Sequence, residues 1–312
     1  MITTLNRPAA EDAPCFSGAF LETSQSDSEA AAARARVLGD IDRLGLQLHV
    51  ANLERDGYTW LSPQEVGPPA FIESLRAKTL EIAERRSGTR IDVATGADLS
   101  ELESIFGQAQ YFARLIEEDR IYEQVMMHER ALALLSYLLG ETCVLVHFSA
   151  MIKGPGRDHL ELHSDQNQSG APAPFPPFAQ TANITWALTD YTIDAGPICF
   201  VPGSHKLCRP PTREEAVNLS LFEPLTVPAG SVIVFHGNTW HGALRRTKPG
   251  VRISLFTYYN RWYNTRLDEV ASTPTQEMLD RNPSRFASLF GIGTPWASMG
   301  PRGMALRNSH FV

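Results

Sequence analysis

The sequence predicts a mainly β fold with flanking α-helices: an antiparallel sandwich or barrel supported by a helical N-terminal half. Three observations carry this. Up to Gly140, apolar residues recur at helical spacing. After Gly140 the chain breaks into short, β-rich apolar runs. Pro and Gly punctuate those runs, at Gly154-Pro155-Gly156, Gly196-Pro197, Pro202-Gly203, Pro228-Ala229-Gly230 and Lys248-Pro249-Gly250.

Taken in order, residues 1–27 are small, polar and proline-containing, and read as a loose arm before a single domain over 28–312. Its helical support spans 28–140. Val37, Ile41, Leu44 and Leu48 mark a first helix that runs to Asp56-Gly57. Tyr58–Leu61 reads as a short strand. A second helix follows Pro68-Pro69, with Ile72, Leu75, Thr79 and Ile82 on one face, and stops at Ser87-Gly88. Residues 101–140 read as two or three further helical pieces. The β-rich catalytic core spans 141–265, with strands expected at 142–152, 158–165, 181–190, 197–202, 223–227, 231–236 and 250–260. The tail, 266–312, reads as helical from Ser272 and then irregular. Ser169–Phe178 carries four prolines and is a semi-rigid loop, either a surface connector or a lid.

The 312 residues carry a net charge of −7, which argues against a nucleic-acid partner and against an anionic membrane surface. No stretch approaches the ~20 apolar residues that span a bilayer. Cys15, Cys143, Cys199 and Cys208 show no CxxC spacing and read as reduced packing residues. Met1–Phe20 has no basic start followed by an apolar run, so the expected location is the cytoplasm. The expected partner is a small-molecule substrate; homo-oligomerisation is left open.

His163-Ser164-Asp165 closes a predicted strand, where residues i and i+2 share a face, so an imidazole and a carboxylate can meet one ion. His241 is the candidate third ligand, ahead of His236, whose place at the end of an apolar run is that of a packed strand residue. Two histidines and one carboxylate on one face of a metal leave open positions, which suits Fe(II) with a bidentate co-substrate and dioxygen. Arg252 sits eleven residues past His241 in the apolar run Val251-Arg-Ile-Ser-Leu-Phe256. A charge there needs a partner, and a guanidinium suits a carboxylate in a two-point grip. 2-Oxoglutarate meets both demands, chelating iron at one end and Arg252 at the other, with Ser254 on the same face to add a hydroxyl.

His163-x-Asp165, Trp186-Ala-Leu-Thr-Asp190, Gly196-Pro-Ile-Cys-Phe-Val-Pro-Gly-Ser-His-Lys206, Gly230-Ser-Val-Ile-Val-Phe-His236, His241 and Arg252, in that order, resemble the phytanoyl-CoA dioxygenase family. Leu53–Tyr58 resembles the family's approach to its first strand, and the resemblance covers about 50–265. It implies a double-stranded β-helix, the cupin-like jelly-roll core, and an Fe(II)- and 2-oxoglutarate-dependent dioxygenase. It implies His163, Asp165 and His241 as metal ligands, Arg252 on the distal carboxylate, and Trp186 lining the co-substrate pocket. Ala243 departs from the pattern, since many members carry Ser two residues after the distal histidine; Ser254 is the candidate substitute. Asp165 occupies the place that related halogenases give to a small residue, so hydroxylation of a small organic substrate is expected over halogenation.

Other residues have plainer readings. His159 and Glu161 belong to the pocket mouth or to a solvated face. His205 is read as structural, and His49, His128, His147 and His310 as surface or core residues without a role. Phe256, Tyr258, Tyr259, Trp262 and Tyr263 are core and rim packing, some of them at the substrate pocket. Arg245, Arg246 and Lys248 form either a solvated loop or an anion attractor. Two rival functions remain. One is a metal-dependent cupin-type isomerase or hydrolase that needs no 2-oxoglutarate. The other is an inactive jelly-roll that binds a ligand.

Overall fold

The structure, a computed structural model, describes residues 25–96, 109–156, 158–168, 171–264 and 274–292. The N-terminal helices are α1 (Gln25–Arg43), α2 (Gln47–Asp56), α3 (Pro63–Val66) and α4 (Pro69–Ser87). Gly45, at φ +66°, divides α1 from α2, so the single helix expected up to Asp56 is two. The prolines before α4 lack the N–H that a first turn cannot use, and Gly88 closes the helix in the left-handed region. Its buried face is Ile72, Leu75, Thr79 and Ile82, the face read from the spacing. α5 (Ile121–Met126) and α6 (Glu129–Leu139) follow, the second apolar enough to bury Leu134, Leu135, Leu138 and Leu139.

Among the described residues, ten strands form two antiparallel sheets. The larger has the order β1 (Tyr58–Leu61), β8 (Val232–His236), β5 (Thr181–Ala187), β10 (Arg252–Asn260), β3 (Val144–Lys153), β2 (Ala109–Ala113). The smaller has the order β4 (Leu160–His163), β9 (His241–Ala243), β6 (Ile198–Phe200), β7 (Glu223–Pro224). β2 replaces helix within 101–140, where two or three helical pieces are expected. It pairs with β3 from Ala109↔Lys153 to Ala113↔Ser149, and that pairing overrides the local helical pattern. β9 is three residues long and lies too close to a turn to show any period of its own. In the tail, two short helices, Gln276–Arg281 and Ser284–Leu289, match the expected helix; the arm up to residue 24 and the end of the tail lie outside the described residues.

Alternation along the strands sorts side chains between two layers. Leu145, Phe148, Ala150, Ile152, Ile184, Trp186, Val232, Val234, Ile253 and Leu255 face the helices, where they pack with Leu75, Ile82, Leu134 and Leu135. Each fully buried Leu or Ile contributes about 1.5–3 kcal/mol. Ala187, Tyr191, Ile198, Phe200, Ile233 and Phe235 pack between the sheets instead. The result is a jelly-roll with one helix-covered face. Among the described residues no helix is long and apolar enough to cross a membrane.

The described part of the proline-rich segment, Ala171–Phe178, is a loop, as its prolines require. Phe175 is buried, its N–H donates to Cys208 O at 2.6 Å, and the Asn238 amide donates to Pro176 O at 2.9 Å. Its described part is therefore anchored, which fits a connector. The basic cluster is structural in the same way. Arg246 is buried and donates to Gly250 O at 2.9 Å, and Lys248 lies 3.4 Å from Asp194.

Candidate active site

The smaller sheet builds the first half of the site. β4 and β9 pair so that His163 stands directly opposite His241, with ring centroids 4.2 Å apart. β4 ends at His163, and Asp165 opens the short helix α7 (Asp165–Gln168) rather than extending the strand. The turn brings its carboxylate back between the rings. Asp165 Oδ1 lies 3.7 Å from His163 Nε2, and Oδ2 lies 3.6 Å from His241 Nε2. One ligand atom from each of the three lies within 4.8 Å of the others.

The surroundings prepare these atoms for a cation. Nδ1 of His163 lies 2.9 Å from Glu161 O, and Nδ1 of His241 lies 3.0 Å from Thr239 O. A carbonyl only accepts, so each Nδ1 carries the proton and each Nε2 presents its lone pair. Burial pushes the His241 imidazole down to about 4, against the opposing pull of Asp165. Asn183 of β5 donates to Asp165 Oδ2, and the Tyr258 hydroxyl donates to Asp165 O at 3.4 Å. Ser164 Oγ donates to Gly237 O at 3.0 Å, fixing the chain just before the carboxylate. Two neutral imidazoles and one carboxylate are a donor set that fits Fe(II).

His163, Asp165 and His241 share a cavity of about 430 Å³ with Arg252 and Lys153. Those two cations are register partners across β10 and β3, both almost fully buried. Arg252 donates to Gly196 O, its guanidinium carbon lies 5.0 Å from the Tyr191 ring centroid, and its Nε has no hydrogen-bond partner. Lys153 Nζ donates to Leu244 O at 2.8 Å. Burial, and then the Arg252 charge, push the Lys153 ammonium down to about 7. Neither cation has a carboxylate partner among the described residues, an arrangement suited to an incoming dianion.

The sequence expectation for His163, Asp165, His241 and Arg252 therefore meets a single cavity. His236 lies elsewhere: it packs on His205 at a centroid distance of 5.3 Å, and burial pushes it down to about 3. Two expectations need correction. Trp186 does not line the cavity. It sits on the helix-facing side of β5, edge-on to Phe71 at 6.1 Å and His128 at 5.3 Å. Alternation is the cause: Asn183, two residues before Thr185, faces Asp165, so Thr185 shares the site side and Trp186 cannot. Ser254 is fully buried and bonds the Tyr191 hydroxyl at 2.5 Å, so it holds Tyr191 beneath Arg252 instead of lining the cavity.

His147, expected to have no role, lines the cavity, as do His159 and Ala243, whereas Glu161 is exposed. Lys153, Asn183 and Tyr191 were not anticipated. For Asn183 a signal existed, since a polar residue two positions before Thr185 in a buried strand has to face a polar partner.

The family profile described as phytanoyl-CoA dioxygenase matches residues 53–254. Dioxygenase af480 of Aspergillus fumigatus is 33% identical over 149 residues, which are 47% of this chain and 47% of that protein. The chain thus matches about half the length of that relative. An ectoine dioxygenase of Stutzerimonas stutzeri is 27% identical over 241 residues, 68% of this chain and 75% of that protein. Among solved structures, HygX from Streptomyces hygroscopicus with nickel and 2-oxoglutarate bound superposes with a TM-score of 0.55 at 17% identity, covering 74% of this chain and 92% of that one.

Proposed function

The chain belongs to the phytanoyl-CoA dioxygenase family, and from that premise we propose that it is an Fe(II)- and 2-oxoglutarate-dependent dioxygenase that hydroxylates an unactivated C–H bond of a small organic substrate. The observation that carries this is the pairing within one cavity of a two-histidine, one-carboxylate cluster with two buried cations that have no carboxylate partner among the described residues. His163, Asp165 and His241 hold the metal. Bound iron supplies the oxidising chemistry that couples dioxygen and the decarboxylation of 2-oxoglutarate, giving succinate and CO2, to oxidation of the substrate.

The chain's own residues do the rest. Asn183 and Tyr258 hold Asp165 in place from its carboxylate and its carbonyl. Arg252 and Lys153 receive the distal carboxylate of 2-oxoglutarate, and Tyr191, held by Ser254, supports Arg252 from below. The hydroxyl absent at Ala243 is replaced by a second cation. The apolar walls keep water from the reacting atoms. An isomerase or hydrolase working without 2-oxoglutarate would have no use for paired buried cations, so the pair weighs against that rival. Cys143, Cys199 and Cys208 are free thiols, in keeping with a reducing cytoplasm.

The test is Arg252→Ala, read as succinate formation and metal affinity. The half-saturating 2-oxoglutarate concentration should rise about 10- to 100-fold, the worth of a charge-assisted hydrogen bond, with metal affinity nearly unchanged. Equal loss of both would refute the carboxylate-grip role.

A further inference from the structure

Lys153 differs in its surroundings from the other lysines of the chain. Lys78 lies 2.6 Å from Glu81, Lys248 lies 3.4 Å from Asp194, and Lys206 is exposed. Lys153 keeps only 7% of its surface and lines the cavity that also holds the metal cluster. It ends β3 in the larger sheet and reaches the smaller one, where Nζ donates to Leu244 O, just past β9, at 2.8 Å. A bond to a carbonyl uses an N–H and leaves the lone pair of an unprotonated amine free.

The charged and titratable groups near Lys153, among the described residues, are four. Arg252 is its register partner on β10 and disfavours a second positive charge. Cys199 offers no anion, because burial pushes its thiol up to about 12. His159 is itself lowered, by burial first and then by Arg245 and Lys153. Asp158 is exposed at the cavity rim. Burial, and then Arg252, hold the Lys153 amine down to about 7, so at neutral pH a large share of it is unprotonated and nucleophilic.

We propose that Lys153 is a modification site for carbon dioxide: its amine adds CO2 as a carbamate, which pairs with Arg252 in place of the distal carboxylate of 2-oxoglutarate. The amine nitrogen bonds to the CO2 carbon, one C=O π pair moves onto oxygen, and one proton leaves to solvent. Nothing is oxidised or reduced. The carbamate is a planar anion, and the Arg252 guanidinium supplies its counter-charge and paired donors. A cation thereby becomes an anion, so the modified site repels the dianion that it otherwise attracts. The source of the CO2 and the role of the two cations rest on the dioxygenase reading, in which decarboxylation releases CO2 into this cavity. The product of one turnover then restrains the next.

In the experiment the full chain, without metal or 2-oxoglutarate, is equilibrated with isotopically labelled bicarbonate at about pH 8, where an ordinary lysine stays protonated. Triethyloxonium then traps any carbamate as its ethyl ester, and peptide mass spectrometry locates it. The ester on Lys153 should exceed that on Lys78, Lys206 and Lys248 by about tenfold or more. This comparison is internal to the wild type and needs no variant. Lys153→Arg, which keeps a cation but is not deprotonated, should lose the adduct. In the chain loaded with Ni(II), bicarbonate should weaken 2-oxoglutarate binding about tenfold or more, and should leave Lys153→Arg unaffected. No ester on Lys153, equal ester on the other lysines, or bicarbonate sensitivity that is absent or persists in Lys153→Arg would each overturn the proposal. Trapping needs neither metal nor co-substrate. An adduct on Lys153 in a chain that binds no 2-oxoglutarate at all would therefore overturn the dioxygenase reading and leave the modification site standing.

Discussion

Lys153 and Arg252 face one another across β3 and β10, two cations in register where a sheet ordinarily pairs opposite charges. The consequence is a pH dependence. Lys153 is held down to about 7, so above that value it is neutral in the empty site. A carboxylate binds the protonated form, so 2-oxoglutarate affinity should weaken as pH rises from 7 to 9, and Lys153→Met should flatten that slope. Calorimetric titration across the pH range checks both; an unchanged slope in the variant would remove Lys153 from the grip. At this scale the metal ligands and Arg252 were legible because their residue types, order and spacing are demanded by one chemistry. Lys153 was not, since a lysine ending an apolar strand reads equally well as an edge residue. Trp186 was misplaced by a single position, which is all it takes to change faces on a strand.

The element that decides the metal cluster is the short ladder between β4 and β9. Gly242 lies between His241 and Ala243, and a Cβ there would run into the backbone carbonyl of Leu160 on β4. Gly242→Ala should push the two strands apart and separate His163 from His241. We expect at least a tenfold loss of Ni(II) affinity, in line with the roughly 10- to 100-fold effects of disturbing a ligand's support, together with a lowered melting temperature. Unchanged affinity would mean that the histidines are positioned by something other than this ladder. α4 and the long core strands were legible because their period is sustained over many residues. β2 and β9 were not. Five and three residues hold too little period to read, and both exist because a neighbouring strand pairs with them.

Across the molecule, the β core is sealed on one face by helices and closed around its histidines on the other. Burial holds His241 down to about 4 and His236 to about 3, and lowers His128 and His205 in the same direction. Their unfolded values lie near 6.5, so between about pH 6.5 and 4 the unfolded chain binds protons that the folded chain refuses. Stability of the metal-free protein should therefore fall as pH falls through that window, by roughly 2 kcal/mol per fully buried histidine at pH 5. Urea unfolding at pH 7 and pH 5 measures it, and equal midpoints would contradict the burial. The overall architecture was legible from the change of period at Gly140, which marks where helix-forming pattern gives way to strands.

The central claim is that His163, Asp165 and His241 hold a metal to which 2-oxoglutarate is delivered. Its most direct measurement is the visible charge-transfer band formed when Fe(II) and then 2-oxoglutarate are added anaerobically to the purified chain. The band should form in the wild type and in His236→Ala, and should be lost in His241→Ala. A band absent from the wild type, or lost in His236→Ala and kept in His241→Ala, would contradict the account.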